Sequence, residues 1–284
     1  MNLRLHDIQI WLVLALFMAG MQSCADEVEE AAQVEVGFTA PLPTDALPTD
    51  ALSRSFGHAE QVNTLVVGVF DEQYQEIDRM AYPMTGTSAN VSMTLAQSQT
   101  YHFVFWAYHY DPSQEPKFYD LRNLTAIRMN PISEPITLVQ AEAMDAFFAV
   151  QEHVTLVRDK NYPIEMVRPL AQINVGTSGT PMQASFTAKS DPDTFYPFTN
   201  EVSGTADFTW LFSETTTEQF PAGGKDYTYL AMGYVFAPVA ATTIAAELTL
   251  TEAGNSLTLE FPQVEIAANK RSNIAGRLSK ESNY

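Results

Sequence analysis

Three observations predict an all-β protein made of two tandem β-sandwich domains. Short segments alternate apolar and polar residues with turn signals between them, and no long amphipathic helical period appears. Aromatic residues make up 11% of the chain, while only 15 Lys and Arg in 284 residues leave few i,i+4 pairs for helices. The length suits two domains of ordinary size better than one. The pattern restarts near Val167 to Pro169, which divides the chain into 62–167 and 168–284.

Residues 1–23 read as a secretion signal. A short leading region carries Arg4, with Asp7 cancelling it, and an apolar stretch runs from Ile8 to Met21. That stretch is too short, and too abruptly followed by acid, to span a membrane comfortably. It ends at Cys24, the only cysteine in the chain. No intrachain disulfide can form, so each core must hold by packing alone. The run Ala25-Asp26-Glu27-Val28-Glu29-Glu30 is acidic, as a solvated tether would be.

Residues 33–40 alternate and predict one strand. Leu42-Pro43-Thr44-Asp45-Ala46 is then repeated as Leu47-Pro48-Thr49-Asp50-Ala51. Proline every five residues forbids a helix and blocks a central strand. The stretch is therefore an extended, exposed linker, ending at Leu52-Ser53-Arg54-Ser55. Tether, first strand and linker together fill 24–61.

Residues 63–70 are almost continuously apolar, as in a strand covered on both faces. Residues 77–82 return after a polar turn, and Val91, Met93 and Leu95 mark a half-buried strand. The segment 101–110 is the most aromatic of the chain. As a strand it buries Phe103, Phe105 and Ala107 on one face and Val104 and Trp106 on the other. From Asp111 to Asp145 the pattern weakens into loops, with one helical turn expected over 141–148. Short strands are predicted at 154–157 and 164–167. A second series follows at 168–175, 184–188, 206–212, 227–236, 243–251, 256–261 and 272–278, with Glu252-Ala253-Gly254-Asn255 as a hairpin turn.

Catalytic and cofactor chemistry finds no sequence support. The five histidines, His6, His58, His102, His109 and His153, show no metal-ligand spacing, so no metal site is predicted. Asp71-Glu72 and Asp191-Pro192-Asp193 look like turns and lack the acid-and-glycine pattern of a calcium loop. Gly223-Gly224-Lys225 is a lone loop, and neither a nucleophile elbow nor a His-containing triad is present. The net charge of −19 opposes binding to nucleic acid or to anionic head groups. Trp106, Tyr108, Tyr110 and Trp210 could stack on sugars or could simply be core. Tyr108 and Tyr110, approaching a loop, are the better candidates for exposure.

Met21-Gln22-Ser23-Cys24 resembles the lipobox of bacterial lipoproteins, in the relaxed form common in Bacteroidetes. The resemblance implies cleavage before Cys24 and acylation of its sulfur and new amine. Each buried methylene of such an anchor contributes about 0.8 kcal/mol. The alternative is a free thiol at the edge of an ordinary signal peptide. The acidic run after Cys24 resembles the signal that exports such lipoproteins to the outer face of the outer membrane.

The order of the pieces resembles the fimbrillin-like lipoproteins of Bacteroidetes, the type V pilin superfamily. The matching pieces are Cys24, strand 34–39, Arg54 and Phe103-Val104-Phe105-Trp106-Ala107. Met144-Asp145-Ala146-Phe147-Phe148, Arg168-Pro169-Leu170-Ala171-Gln172-Ile173 and Asn269-Lys270-Arg271-Ser272-Asn273-Ile274 complete the set. The resemblance implies two transthyretin-like sandwiches and a non-enzymatic pilus subunit or adhesin. It further implies that a trypsin-like protease cuts between Arg54 and Ser55, that strand 34–39 departs, and that a neighbouring subunit's strand fills the groove. Arg54 also reads as an ordinary soluble residue of the linker. If 272–278 completes the second sandwich, the protein cannot donate that strand. It would then be an anchor, a tip or a stand-alone surface protein. A lipid-anchored carbohydrate-binding protein for glycan capture is the alternative function, and a secreted hydrolase a third.

Overall fold

The computed structural model describes residues 32–43, 58–113, 118–252 and 254–277. The leader, Cys24, Arg54 and Ser55 lie outside these residues. In chain order the first elements are β1 (Gln33–Pro41), β2 (Thr64–Phe70), β3 (Glu76–Pro83), β4 (Ser88–Ala96) and β5 (Thr100–Tyr108). Two short strands, β6 (Tyr119–Asp120) and β7 (Ile127–Met129), precede helix α1 (Leu138–Glu142), β8 (Ala146–Thr155) and β9 (Lys160–Pro163). The remainder is β10 (Leu170–Thr177), β11 (Gln183–Asp191), β12 (Thr194–Tyr196), β13 (Glu201–Ser203), β14 (Ala206–Phe212) and β15 (Gln219–Ala222). It closes with β16 (Lys225–Phe236), β17 (Thr242–Glu252), β18 (Asn255–Ile266) and β19 (Arg271–Gly276).

The all-β expectation holds, and one connectivity occurs twice. In the first half the sheets run β4-β1-β9 and β3-β2-β5-β8; in the second, β15-β16-β10-β19 and β14-β11-β17-β18. β1 pairs antiparallel with β4 and parallel with β9, just as β10 pairs antiparallel with β16 and parallel with β19. Each half thus places its first strand between a neighbour and its own last strand. A small fifth sheet, β13-β12-β7-β6, draws strands from both halves.

The face assignment on β5 follows side-chain alternation. Phe103, Phe105 and Ala107 join one core with Leu65, Val67 and Val69, against β1 and β4. Val104 and Trp106 face the other core, with Phe148, Phe195 and Phe236. β2 and β5 are therefore covered on both faces, which is why 63–70 lacks polar alternation.

Three local expectations are corrected. The helical turn lies at Leu138–Glu142 rather than over 141–148. Thr137 caps it with a reciprocal Thr137–Gln140 capping box, and Phe147 and Phe148 belong to β8 opposite Ala107 and Trp106. The strand expected at 164–167 lies earlier, as β9, because the polar segment Lys160–Pro163 pairs along β1. Residues 111–145 contain β6 and β7 in addition to loop.

Three sequence stretches singled out by the family resemblance meet in one buried polar network. Arg168 Nε and Nη2 donate to the two Asp145 oxygens at 2.6 and 2.8 Å, and Nη1 donates to Asn269 Oδ1 at 2.9 Å. The guanidinium also lies 4.5 Å from the Phe147 ring centroid. Burial opposes the Arg168 charge, but Asp145 outweighs it, so its pKa stands above the ordinary value. Next to this pair, Arg271 Nε donates to Gln172 Oε1 at 2.6 Å, Gln172 Nε2 to the Tyr234 hydroxyl at 3.1 Å, and that hydroxyl to Glu142 Oε2 at 2.9 Å.

Arg168→Ala is expected to cost about 3–5 kcal/mol in urea unfolding, because it leaves the buried Asp145 without its guanidinium partner. The double change Arg168→Met with Asp145→Leu should recover most of that loss. Equal instability of the double variant would show that the pair is needed for more than mutual neutralisation.

Candidate strand-exchange groove

β1 is an amphipathic strand inserted as the centre of a three-stranded sheet. It pairs with β4 from Gln33 opposite Ala96 to Pro41 opposite Ser88, and with β9 from Val36 opposite Lys160 to Thr39 opposite Pro163. The pairing continues at both ends, since Gln97 N donates to Ala32 O and Leu42 N to Thr87 O. The period of two then decides which side chains are inward. Val34, Val36, Phe38 and Ala40 are buried, followed by Leu42.

Phe38 is the largest of these plugs. Its ring centroid lies 4.8 Å from Phe103, 5.0 Å from Phe105 and 5.6 Å from Tyr162. The outward residues are held only by polar contacts at the wet face. Asp159 Oδ1 accepts from Glu35 N at 2.9 Å, and Thr39 Oγ1 accepts from Asn161 Nδ2 at 3.2 Å. A shallow depression of about 440 Å³ runs over this face, lined by Glu35, Gly37, Ser92, Asp159, Lys160 and Asn161.

The equivalent strand of the second half is built differently. Every residue of β10 is buried, including Gln172 of the internal polar network and Asn174, which donates to Asn273 Oδ1 at 3.0 Å. Withdrawing β10 would tear open both faces of its sheet, whereas withdrawing β1 opens one row of pockets and one wet surface. β19 is itself paired along β10, from Arg271 opposite Gln172 to Gly276 opposite Thr177.

The aromatic pair resolves unequally. Tyr110 is 43% exposed, whereas Tyr108 is half-buried against the core, and their rings lie 6.2 Å apart at 58°. Such a tilt offers no flat double platform. Trp106 and Trp210 are core residues. One further grouping left no mark in the linear spacing of the residues: His102, Glu152 and His153 come together where β5 meets β8. Among the described residues, no helix is long and apolar enough to cross a membrane.

The fold and this groove define a class: an all-β protein of paired sandwiches with an amphipathic first strand set into the middle of a sheet. The chain belongs to the family of unknown function DUF6562, whose model matches residues 27–281. No curated protein matches it in sequence. Among solved structures it is similar to a Bacteroides thetaiotaomicron protein of the DUF1812 group, proposed to bind polysaccharide. The two are 11% identical, with 87% of this chain and 92% of that chain covered at a TM-score of 0.51. It is also similar to the tip fimbrial protein Mfa3 from Porphyromonas gingivalis with C-terminal truncation, at 10% identity, 88% and 97% coverage and a TM-score of 0.45. The fimbrial anchor protein Mfa2 from the same organism aligns at 12% identity, 81% and 82% coverage and a TM-score of 0.45. At such identities the likeness concerns the fold.

Proposed function

We propose that this protein is a non-enzymatic, fimbrillin-like surface subunit that accepts a neighbouring subunit's strand in the β1 groove. The observation that carries the proposal is the seating of β1, buried along one face, wet along the other and central in its sheet. A strand leaving that place exposes unpaired N–H and C=O groups on β4 and β9 and a row of side-chain pockets, the requirements for β-augmentation. Release follows cleavage between Arg54 and Ser55, in a proline-rich stretch where proteolysis is favoured. Delivery is as a lipoprotein acylated at Cys24 and carried to the outer membrane surface. Because β19 is engaged in its own sandwich, the cleaved protein, which has shed its lipid, acts as an acceptor at a tip position. The domain division stays at 62–167, completed by β1, and 168–284.

The test is the amino terminus of protein recovered from cells. A processed subunit begins at Ser55 and forms ladders that survive mild heating, and Arg54→Ala retains lipidated Cys24 and abolishes the ladders. Cleaved protein that stays monomeric at high concentration would falsify the exchange mechanism. A glycan-capture role is favoured by one observation only, the exposure of Tyr110 beside Tyr108. Retardation in polysaccharide gels, lost in Tyr110→Ala, would support that role instead.

A further inference from the structure

We propose that His102, Glu152 and His153 form a binding site for a borderline divalent cation of the zinc type. The site arises from a β-bulge. β5 and β8 pair at Tyr101 with Val154 and again at Phe103 with Gln151. Two residues of β8, Glu152 and His153, therefore stand against the single residue His102. A bulge re-aims consecutive side chains that regular alternation would send to opposite faces. Here it directs an imidazole and a carboxylate towards a third ligand on the neighbouring strand.

The candidate ligand atoms of the three residues lie within 4.8 Å of one another. A cation bonded at zinc distances needs ligand atoms about 3.3 Å apart. Closing that gap falls to Glu152 and His153, which are both exposed, while His102 is fully buried and fixed. His102 Nδ1 is 4.0 Å from Glu152 Oε1 and accepts a long 3.3 Å hydrogen bond from His153 N. That bond uses the single in-plane lone pair of Nδ1, on the side of the carboxylate, so a cation bound there takes the place of the long His153 N–H contact.

The surroundings hold this arrangement in place. Tyr74 stacks on His102 at a centroid distance of 4.0 Å and 20°, and its hydroxyl donates to Glu152 Oε1 at 2.7 Å. That bond leaves the second carboxylate oxygen to a cation and orients the group from outside, as supporting hydrogen bonds do around metal ligands. Tyr74 and His153 both sit at positive φ, 60° and 54°. Non-glycine residues in that region cost energy and gather at functional sites. Two imidazoles and one carboxylate select zinc-type ions over calcium or magnesium, which favour oxygen ligands.

The test is titration of the purified protein with Zn²⁺ alone by calorimetry, with Co²⁺ as a spectroscopic probe. Expected are one Zn²⁺ per chain, visible Co²⁺ bands of low-symmetry coordination and a raised melting temperature. His153→Ala and Glu152→Gln alter exposed side chains and should weaken binding by about tenfold or more. Glu265→Gln, at an exposed glutamate elsewhere, should leave it unchanged. Absence of Zn²⁺ binding, unaltered binding in His153→Ala, or equal affinity for Ca²⁺ would each overturn the site. The last outcome would mean diffuse attraction to an acidic chain.

Discussion

A chain beginning at Ser55, and so lacking β1, should fail to persist as a stable folded monomer. A synthetic peptide of residues 33–42 should restore it. Full burial contributes about 1.5–3 kcal/mol for each of Val34, Val36, Phe38 and Leu42, roughly 6–12 kcal/mol in all. That sum is comparable to the whole stability of an ordinary domain, about 5–15 kcal/mol. The same withdrawal strips hydrogen-bond partners from β4 on one side and β9 on the other. The truncated chain should therefore melt at a much lower temperature or self-associate, as judged by calorimetry and light scattering. Added peptide should return it to a monomeric complex, whereas a peptide carrying Phe38→Asp should not. That substitution places a charge among the apolar rings of Phe103, Phe105 and Tyr162 in place of a buried phenyl group. If the truncated chain melted like the full-length protein, β1 would be an ornament of the first sandwich and the groove would lose its role.

The parts of this architecture that announce themselves in sequence are those decided by a single strand. The alternation of 33–40 marks β1 because one face meets the core and the other meets water. The crowding of 101–108 marks β5 because both of its faces are covered. What stayed hidden depends on a partner distant in sequence. Lys160–Pro163 is polar and ends in proline, so only its parallel pairing to β1 makes it a strand. β7 and β12 are three residues each and pair with each other across the two halves, too short for any period to register. Phe147 and Phe148 look helical beside α1 until Ala107 and Trp106 are placed opposite them. The metal candidate needed a bulge, which linear spacing cannot express. The doubled topology is equally silent, since β1 and β10 hold corresponding places while one alternates and the other is buried throughout.

The second half contains the group that should dominate the pH dependence of stability. Asp191 stands at the end of β11 beyond a bulge in its pairing with β14, wholly buried, and among the described residues neither carboxylate oxygen has a hydrogen-bond partner. Its neighbour in sequence, Asp193, takes a different course and accepts from Arg128 at 2.8 Å and from Thr194 at 2.8 Å. Burial alone pushes the Asp191 carboxyl up to about 8, from an ordinary 3.8. The folded protein then keeps a proton that the unfolded chain releases, so stability is full below about pH 3.8 and falls as pH rises towards 8. The loss amounts to about 6 kcal/mol at about 1.4 kcal/mol per pH unit. Asp191→Asn keeps the shape and removes the ionisation. It should match the parent near pH 4 and exceed it increasingly up to pH 9, with a difference of several kcal/mol there. Subtracting the variant's urea-unfolding free energy from the parent's at each pH isolates this group from every other carboxylate. A difference that stays constant across that range would mean the carboxyl finds a partner or water in solution.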